Sequence, residues 1–250
     1  MKRLMIILPI LSVLLAGCYY EEPLPYADAV ITPNPAYVGE EIAFDNFSSN
    51  TSHVEWTMGD GSSASAWNVL HYYYDPGFYT VDLRAHSYDG KTSIASFVVE
   101  VIGSELTVVV KEIIDEYPVE GASVVLFATL DDWYEADYSK AVDEQFTNQN
   151  GVCQFAGLSY QRYYVDVYED NHVNWILGEE DPYRWIETQD LPGGWDHTFI
   201  AYVDFVTWEK KSTGRPAQRP SVGSLREQLK SAPAARPERE NKFSVKRERK

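Results

Sequence analysis

Short runs in which apolar and polar residues alternate, each closed by tight-turn chemistry, recur along most of the chain. Ile42 and Phe44 form one such run; Val54, Trp56 and Met58 form the next. Tyr79, Val81, Leu83 and Ala85 follow, then Phe97, Val99 and Val101, then Leu106, Val108 and Val110. Later runs are β-rich: Val152 to Phe155, Tyr163 to Tyr168 and Phe199 to Phe205. A period of two is the signature of strands with one buried face. Asn34-Pro35, Gly59-Asp60-Gly61, Asp75-Pro76-Gly77, Asp89-Gly90 and Asn148 to Gly151 supply the turns between them. The pattern predicts an all-β chain with two tandem Ig-like β-sandwich domains, residues 28–102 and 104–206. An aromatic content of 14%, with 18 Tyr and 7 Trp, agrees with strands and binding surfaces rather than helical bundles.

The two ends differ from this body. Met1-Lys2-Arg3 precedes an apolar run from Leu4 to Leu15, interrupted by Pro9 and Ser12. It is shorter than the ~20 apolar residues that span a bilayer and fits a secretory signal. Leu15-Ala16-Gly17-Cys18 resembles the lipobox of bacterial lipoproteins. The resemblance implies a signal peptide over 1–17, lipidation of Cys18, and a proline-spaced tether over 18–27 that holds the first domain off the membrane. Acyl chains on Cys18 would anchor the protein, since two or more chains give stable attachment. Residue 19 is Tyr rather than Asp, which by resemblance favours the outer membrane. Glu21-Glu22 is similar to the acidic surface-export signal of Bacteroidetes lipoproteins. Both the surface and the periplasmic face remain open. At the other end, residues 209–250 carry 13 basic and 5 acidic residues, whereas 18–208 carry 33 acidic and 6 basic ones. This predicts a disordered basic tail of charge +8 on a body of charge −27, either an interaction tail or a solvated spacer. The acidic body and the export signal argue against nucleic acid as a partner.

The segment Trp56-Thr57-Met58-Gly59-Asp60-Gly61 resembles the Trp-Asp-Phe-Gly-Asp-Gly hallmark of PKD domains. His71 to Tyr73 and Asp75-Pro76-Gly77-Phe78-Tyr79-Thr80-Val81 resemble the family's next stretch. Thr57 and Met58 replace the usual Asp and Phe, which removes one potential cation ligand. The resemblance covers residues 28–102 and implies a spacer or interaction module without catalysis. It assigns Trp56 to the core, Tyr79 to a packed strand and His71 to an edge hydrogen bond. In the second unit, Pro118 to Leu126, Thr147 to Leu158 and Tyr163 to Val167 resemble carboxypeptidase regulatory-like domains. That family has a non-catalytic, transthyretin-like sandwich found in envelope proteins.

Two inserts in the second unit carry acids beside aromatics: Asp131 to Tyr138, and Asn171 to Trp195. Trp133, Tyr134, Asp137, Trp185 and Trp195 are the candidate ligand-binding residues. Rings stack on apolar sugar faces while acids accept hydroxyl hydrogen bonds. The clustered carboxylates also suit calcium, although no twelve-residue calcium loop is present and no cofactor is required. The alternative is that these aromatic loops pack over the ends of the sandwich. No His-Glu-x-x-His array, Gly-x-Ser-x-Gly elbow or phosphate-binding glycine loop occurs, so no enzyme is expected. Cys153 alternates with Phe155 and reads as a buried thiol. The sequence thus points to a non-catalytic envelope lipoprotein that binds or scaffolds envelope proteins or polymers. The alternative is a surface glycan-binding accessory lipoprotein. Oligomeric state is left open.

Overall fold

A computed structural model describes residues 22–206 and 243–246. The leader with Cys18 and most of the basic tail lie outside these residues. The first unit has eight strands: β1 (Ala29–Thr32), β2 (Ala36–Tyr37), β3 (Ile42–Asn46), β4 (His53–Thr57), β5 (Ser63–Ala64), β6 (Val69–His71), β7 (Gly77–His86) and β8 (Thr92–Ile102). One sheet has the order β1-β3-β6 and the other β2-β8-β7-β4-β5. Their inner faces meet in a core that includes Phe44, Val54, Trp56, Met58, Val81, Leu83 and Val99. The alternation seen in the sequence is realised residue by residue. In β4, Val54 and Trp56 are buried while His53, Glu55 and Thr57 are exposed.

Trp56 anchors this core, as the sequence resemblance implied. Its ring meets Phe44 edge-on at 5.9 Å, and Nε1 donates to the carbonyl of Ala66 at 3.1 Å. The next turn needs glycine. Gly59 has φ of +84°, and a Cβ there would stand 2.6 Å from the Thr80 carbonyl oxygen. Asp60 organises the turn by accepting from the Ser62 amide at 2.9 Å and the Ser62 hydroxyl at 2.6 Å. Its other oxygen lies 2.7 Å from His71 Nε2. Tyr26 and Ala27, assigned to the tether by sequence, pack onto this unit instead. Tyr26 bridges to Ser49, and Ala27 is buried with its amide bonded to Ser93.

The second unit begins at Ser104, after the single residue Gly103. It contains β9 (Ser104–Glu112), β10 (Ser123–Phe127), α1 (Leu130–Glu135), β11 (Asp143–Phe146), β12 (Val152–Leu158), β13 (Tyr164–Glu169) and β14 (His172–Val173). Then come α2 (Trp175–Glu180), α3 (Pro182–Trp185), β15 (Asp196–Phe205) and β16 (Phe243–Lys246). The strands follow the order β11-β10-β13-β14-β15-β9-β12. The path folds at the two-residue strand β14, so β11-β10-β13 faces β15-β9-β12 across a core that includes Val108, Leu126, Phe155, Val165 and Phe199. The predicted turn before β12 is present: Asn148 accepts from the Gly151 amide, and its side chain accepts from Asn150 and Val152. Part of the tail expected to be disordered is instead a strand. Phe243–Lys246 pairs antiparallel with the Asp196–Phe199 edge of β15, satisfying backbone groups that an open edge would leave exposed.

β10 has no solvent face. Val124 and Leu126 enter the sandwich core, while Val125 and Phe127 enter a second core on the opposite side of the sheet. That second core is roofed by α1, α2 and α3. The unit is therefore a sandwich with a helical third layer.

The two units are joined by Gly103 alone. A Cβ at Gly103 would lie 2.6 Å from the Gly157 backbone, so a side chain cannot fit where the β8–β9 link crosses the end of β12. Across the junction, the Tyr160 amide donates to Tyr74 at 2.7 Å and the Gly193 amide donates to Val38 at 3.0 Å. The Ser159 hydroxyl donates to Asp75 at 2.6 Å, and the rings of Tyr74 and Tyr160 stack at 5.7 Å.

Partial burial raises the Asp60 carboxyl pKa. The Ser62 hydroxyl and amide and His71 outweigh it and hold the group below its ordinary value of 3.8. Asp60 is thus more acidic folded than unfolded. Its contribution to stability is present above about pH 4 and fades as pH falls through the folded-state value. We expect Asp60→Asn to lower unfolding free energy by about 1–2 kcal/mol at pH 7 and by less at pH 3. Urea unfolding at the two pH values checks this; an equal deficit at both would contradict it.

Candidate functional site

The five residues expected to bind ligand do not form one site. Thr129 caps α1 by accepting from the Asp132 amide at 3.2 Å, and this start points Trp133 inward. Trp133 is fully buried, and its Nε1 donates to the Val165 carbonyl at 3.2 Å. Trp185 is also buried, with its ring edge-on to Tyr202 at 6.1 Å and the Arg184 guanidinium over its face at 4.7 Å. Neither ring is available to stack on a sugar. Their role is to cover the outer faces of β10, β13 and β15. Tyr134 is half-exposed beside Trp133, at 5.3 Å between ring centroids. Asp137 starts a 3₁₀ turn (Tyr138–Lys140), accepting from the Ser139 amide and hydroxyl. Trp195 stands apart, half-buried in a recess of about 110 Å³ at the junction with Tyr37, Gly103 and Glu105.

The acidic cluster around α1 already holds a cation of its own. Lys140 Nζ lies 2.7 Å from Asp132, 3.5 Å from Glu135 and 3.7 Å from Asp137. Its bond to Asp132 holds the Lys140 amine above its ordinary range, and Lys140 in turn holds Asp132 below the usual carboxylate range. A calcium ion would have to displace this ammonium from the centre of the cluster.

Polar groups inside the helical layer are tied down. Asp166 is fully buried on β13 and accepts from Tyr138 Oη at 2.7 Å and from Trp175 Nε1. Asn174 donates to the Val165 carbonyl at 2.8 Å and accepts from the Val167 amide at 2.9 Å. It stands in for a strand partner where β14 is too short to reach. The Val165 amide donates to Ile186 at 2.8 Å, closing the same edge.

A surface site lies where the β12–β13 connection meets the segment after α3. This groove, about 660 Å³, is lined by Tyr160, Arg162, Tyr183, Glu187, Thr188, Gln189, Asp190 and Pro192. Asp181 caps α3 and Pro182 occupies its first turn, which sets Tyr183 outward at 71% exposure while Trp185 turns in. Tyr160 is held at the groove's end by its contacts with Tyr74. The Arg162 guanidinium donates to Glu187 at 2.5 Å and to Asp190 at 3.3 Å. These bonds, Glu187 first, raise the guanidinium pKa still further. Glu187 is buried, and its second oxygen makes no hydrogen bond among the described residues. The groove thus offers an exposed ring, a fixed cation, the Asp190 carboxylate and the Gln189 amide, with Glu187 and Thr188 tied down beneath them. That set can stack on an apolar face and hydrogen-bond around it. Sequence reading missed Arg162 and Glu187, although Arg162 is one of only six basic residues between 18 and 208.

Cys153 is buried, and burial first, with Asp143 adding to it, pushes its thiol up to about 12. The thiol stays protonated at neutral pH and is no nucleophile.

Residues 22–101 match the family model of the PKD domain, so the first unit is a PKD domain. Among solved structures, the PKD1 domain of Epp from Vibrio anguillarum is similar at 22% identity and TM-score 0.29, covering 32% of this chain and 96% of that one. A structure titled for promiscuous carbohydrate-binding modules of the β-sandwich superfamily is similar at 12% identity and TM-score 0.31, covering 56% and 86%. The major pilin subunit BcpA of Bacillus cereus is similar at 11% identity and TM-score 0.28, covering 72% and 70%. No curated protein matches the chain.

Trp133→Ala is expected to cost about 3–5 kcal/mol, as loss of a fully buried ring does. Thermal and urea unfolding measure it. A variant of unchanged stability would return Trp133 to the role of a binding residue.

Proposed function

We propose that the chain is a non-catalytic, lipid-anchored binding module of the bacterial outer membrane. In this reading Cys18 carries the anchor. The PKD domain serves as a spacer, and the second sandwich, carboxypeptidase regulatory-like in its sequence pattern, presents the contact surface. The observation that carries the reading is the groove between Tyr160 and Pro192, whose polar groups sit on the β12–β13 connection and the segment after α3, pinned by the Arg162–Glu187 pair, while Tyr183 projects from the capped helix beside them. Binding groups on connections between rigid elements are the usual site of recognition. The buried, protonated Cys153 thiol supports a non-catalytic role, as does the lack of a catalytic motif in the sequence. Partners are envelope proteins or envelope polymers.

The exposed Tyr183 ring beside Arg162, Gln189 and Asp190 favours glycan capture as the second reading, because aromatic stacking flanked by hydrogen-bond groups suits a sugar ring. Titration of the full chain with soluble envelope and plant polysaccharides tests it. Tyr183→Ala is expected to weaken binding roughly tenfold or more, as loss of an aromatic anchor does. Failure of every polysaccharide to bind would remove the glycan reading. Crosslinking from position 189 in intact cells would then decide for protein partners. If it too captured no envelope component, the groove would lose its assigned role.

A further inference from the structure

We infer that the outer face of the PKD domain carries a site for a divalent transition metal of the zinc class, built from His53, Glu55 and His86. The inference is independent of the groove, which lies on the other domain.

The strand register assembles the three donors. His53 on β4 lies opposite His86 on β7, and Glu55 follows two residues along β4, on the same face. The side-chain donor atoms of all three lie within 4.8 Å of one another. The imidazole rings are stacked, with centroids 4.6 Å apart and planes 8° from parallel. Two imidazoles and a carboxylate are the donor set that zinc and its neighbours prefer, with remaining positions left to water.

Hydroxyls behind the rings support this. The Ser52 hydroxyl donates its one hydrogen to the His86 carbonyl at 2.9 Å. The same hydroxyl lies 3.0 Å from His53 Nδ1, behind that ring. Thr92 Oγ1 sits 3.0 Å from His86 Nδ1, in the corresponding place behind the second ring. Such outer hydrogen bonds fix ring orientation and tautomer in metal-binding histidines.

One atom remains unexplained without an ion. His86 Nε2 is buried and makes no hydrogen bond among the described residues. It lies 3.6 Å from Glu55 Oε2, beyond hydrogen-bond range. A buried polar atom without a partner is unusual and calls for a cause, a missing ion being one. Arg84 is the cation nearest in register, opposite Glu55, and is exposed. The donors must close from within 4.8 Å to about 3.3 Å, the edge of a tetrahedron with bonds of ~2.0–2.1 Å. The exposed Glu55 side chain must rotate inward, and the two rings must swing out of their parallel stack so that their nitrogen lone pairs converge on one ion.

The test is Zn²⁺ competition between the metal-stripped full chain and a chromophoric chelator, with Co²⁺ absorption as the coordination probe. Wild type is expected to bind one equivalent sensitive to these residues. His53→Gln and His86→Gln should each weaken it by about 10- to 100-fold or more, since even outer-shell changes cost that much. Glu55→Gln, at an exposed position, gives the same reading should either histidine variant fold poorly. His172→Gln, which removes a histidine paired with Glu169 in the other domain, should leave that binding unchanged. Unchanged Zn²⁺ affinity in folded His86→Gln or Glu55→Gln, or no Zn²⁺ binding by wild type, would overturn the assignment.

Discussion

The covering of both faces of β10 and β13 governs the second domain. A strand buried on both sides has no polar face to give to water, so the chain must supply apolar surface twice. The first supply is the opposing sheet of the sandwich. The second is the layer of short helices carrying Trp133, Trp175, Ile176, Leu177, Trp185 and Ile186. Buried donors come with this layer: Tyr138 and Trp175 donate to Asp166, and Trp133 and Asn174 donate to the Val165 carbonyl. Trp133, Trp175 and Trp185 of the aromatic inserts are therefore consumed by the core. Surfaces that remain for recognition are those the roof leaves uncovered, above all the groove beside Tyr183.

The groove also depends on the junction between domains. Gly103 lets the linking strand pass against Gly157, and Ser159 and Tyr160 are pinned to Asp75 and Tyr74. Arg162 follows two residues later, so its position is set partly by the PKD domain. A single-residue link bridged by hydrogen bonds, rather than a long flexible one, holds the groove's end of the second domain against the PKD domain.

Much of the architecture was legible in the sequence. Period-two runs fixed the strands of both sandwiches, and the Trp56 to Gly61 motif located a core tryptophan and a glycine-dependent turn. Packing of the aromatic inserts over the sandwich was one of the two readings the sequence allowed, but their helical form and their place over the outer face of β10 and β13 were not legible from the inserts themselves. The signal lay in the strands instead. Val124-Val125-Leu126-Phe127 is an unbroken apolar run, and such a run demands cover on both faces. The groove was missed for another reason. Arg162 and Glu187 are 25 residues apart, and only the backbone pairing of residues 161–165 with 186–191 brings them together. His53 and His86 likewise meet only through the register of β4 and β7. No local pattern encodes such pairs.

The central claim is that the helical layer is part of the cooperative core rather than a set of loops resting on it. Native-state hydrogen exchange tests this most directly. The amides of Val165 and Gly178, which donate to Ile186 and Asn174, report on the layer and its seam. We expect them to open with the β9–β15 amides, within about 1 kcal/mol of global unfolding. Opening several kcal/mol more easily, with the sandwich still protected, would contradict the account and make the aromatic inserts a separable, ligand-accessible layer.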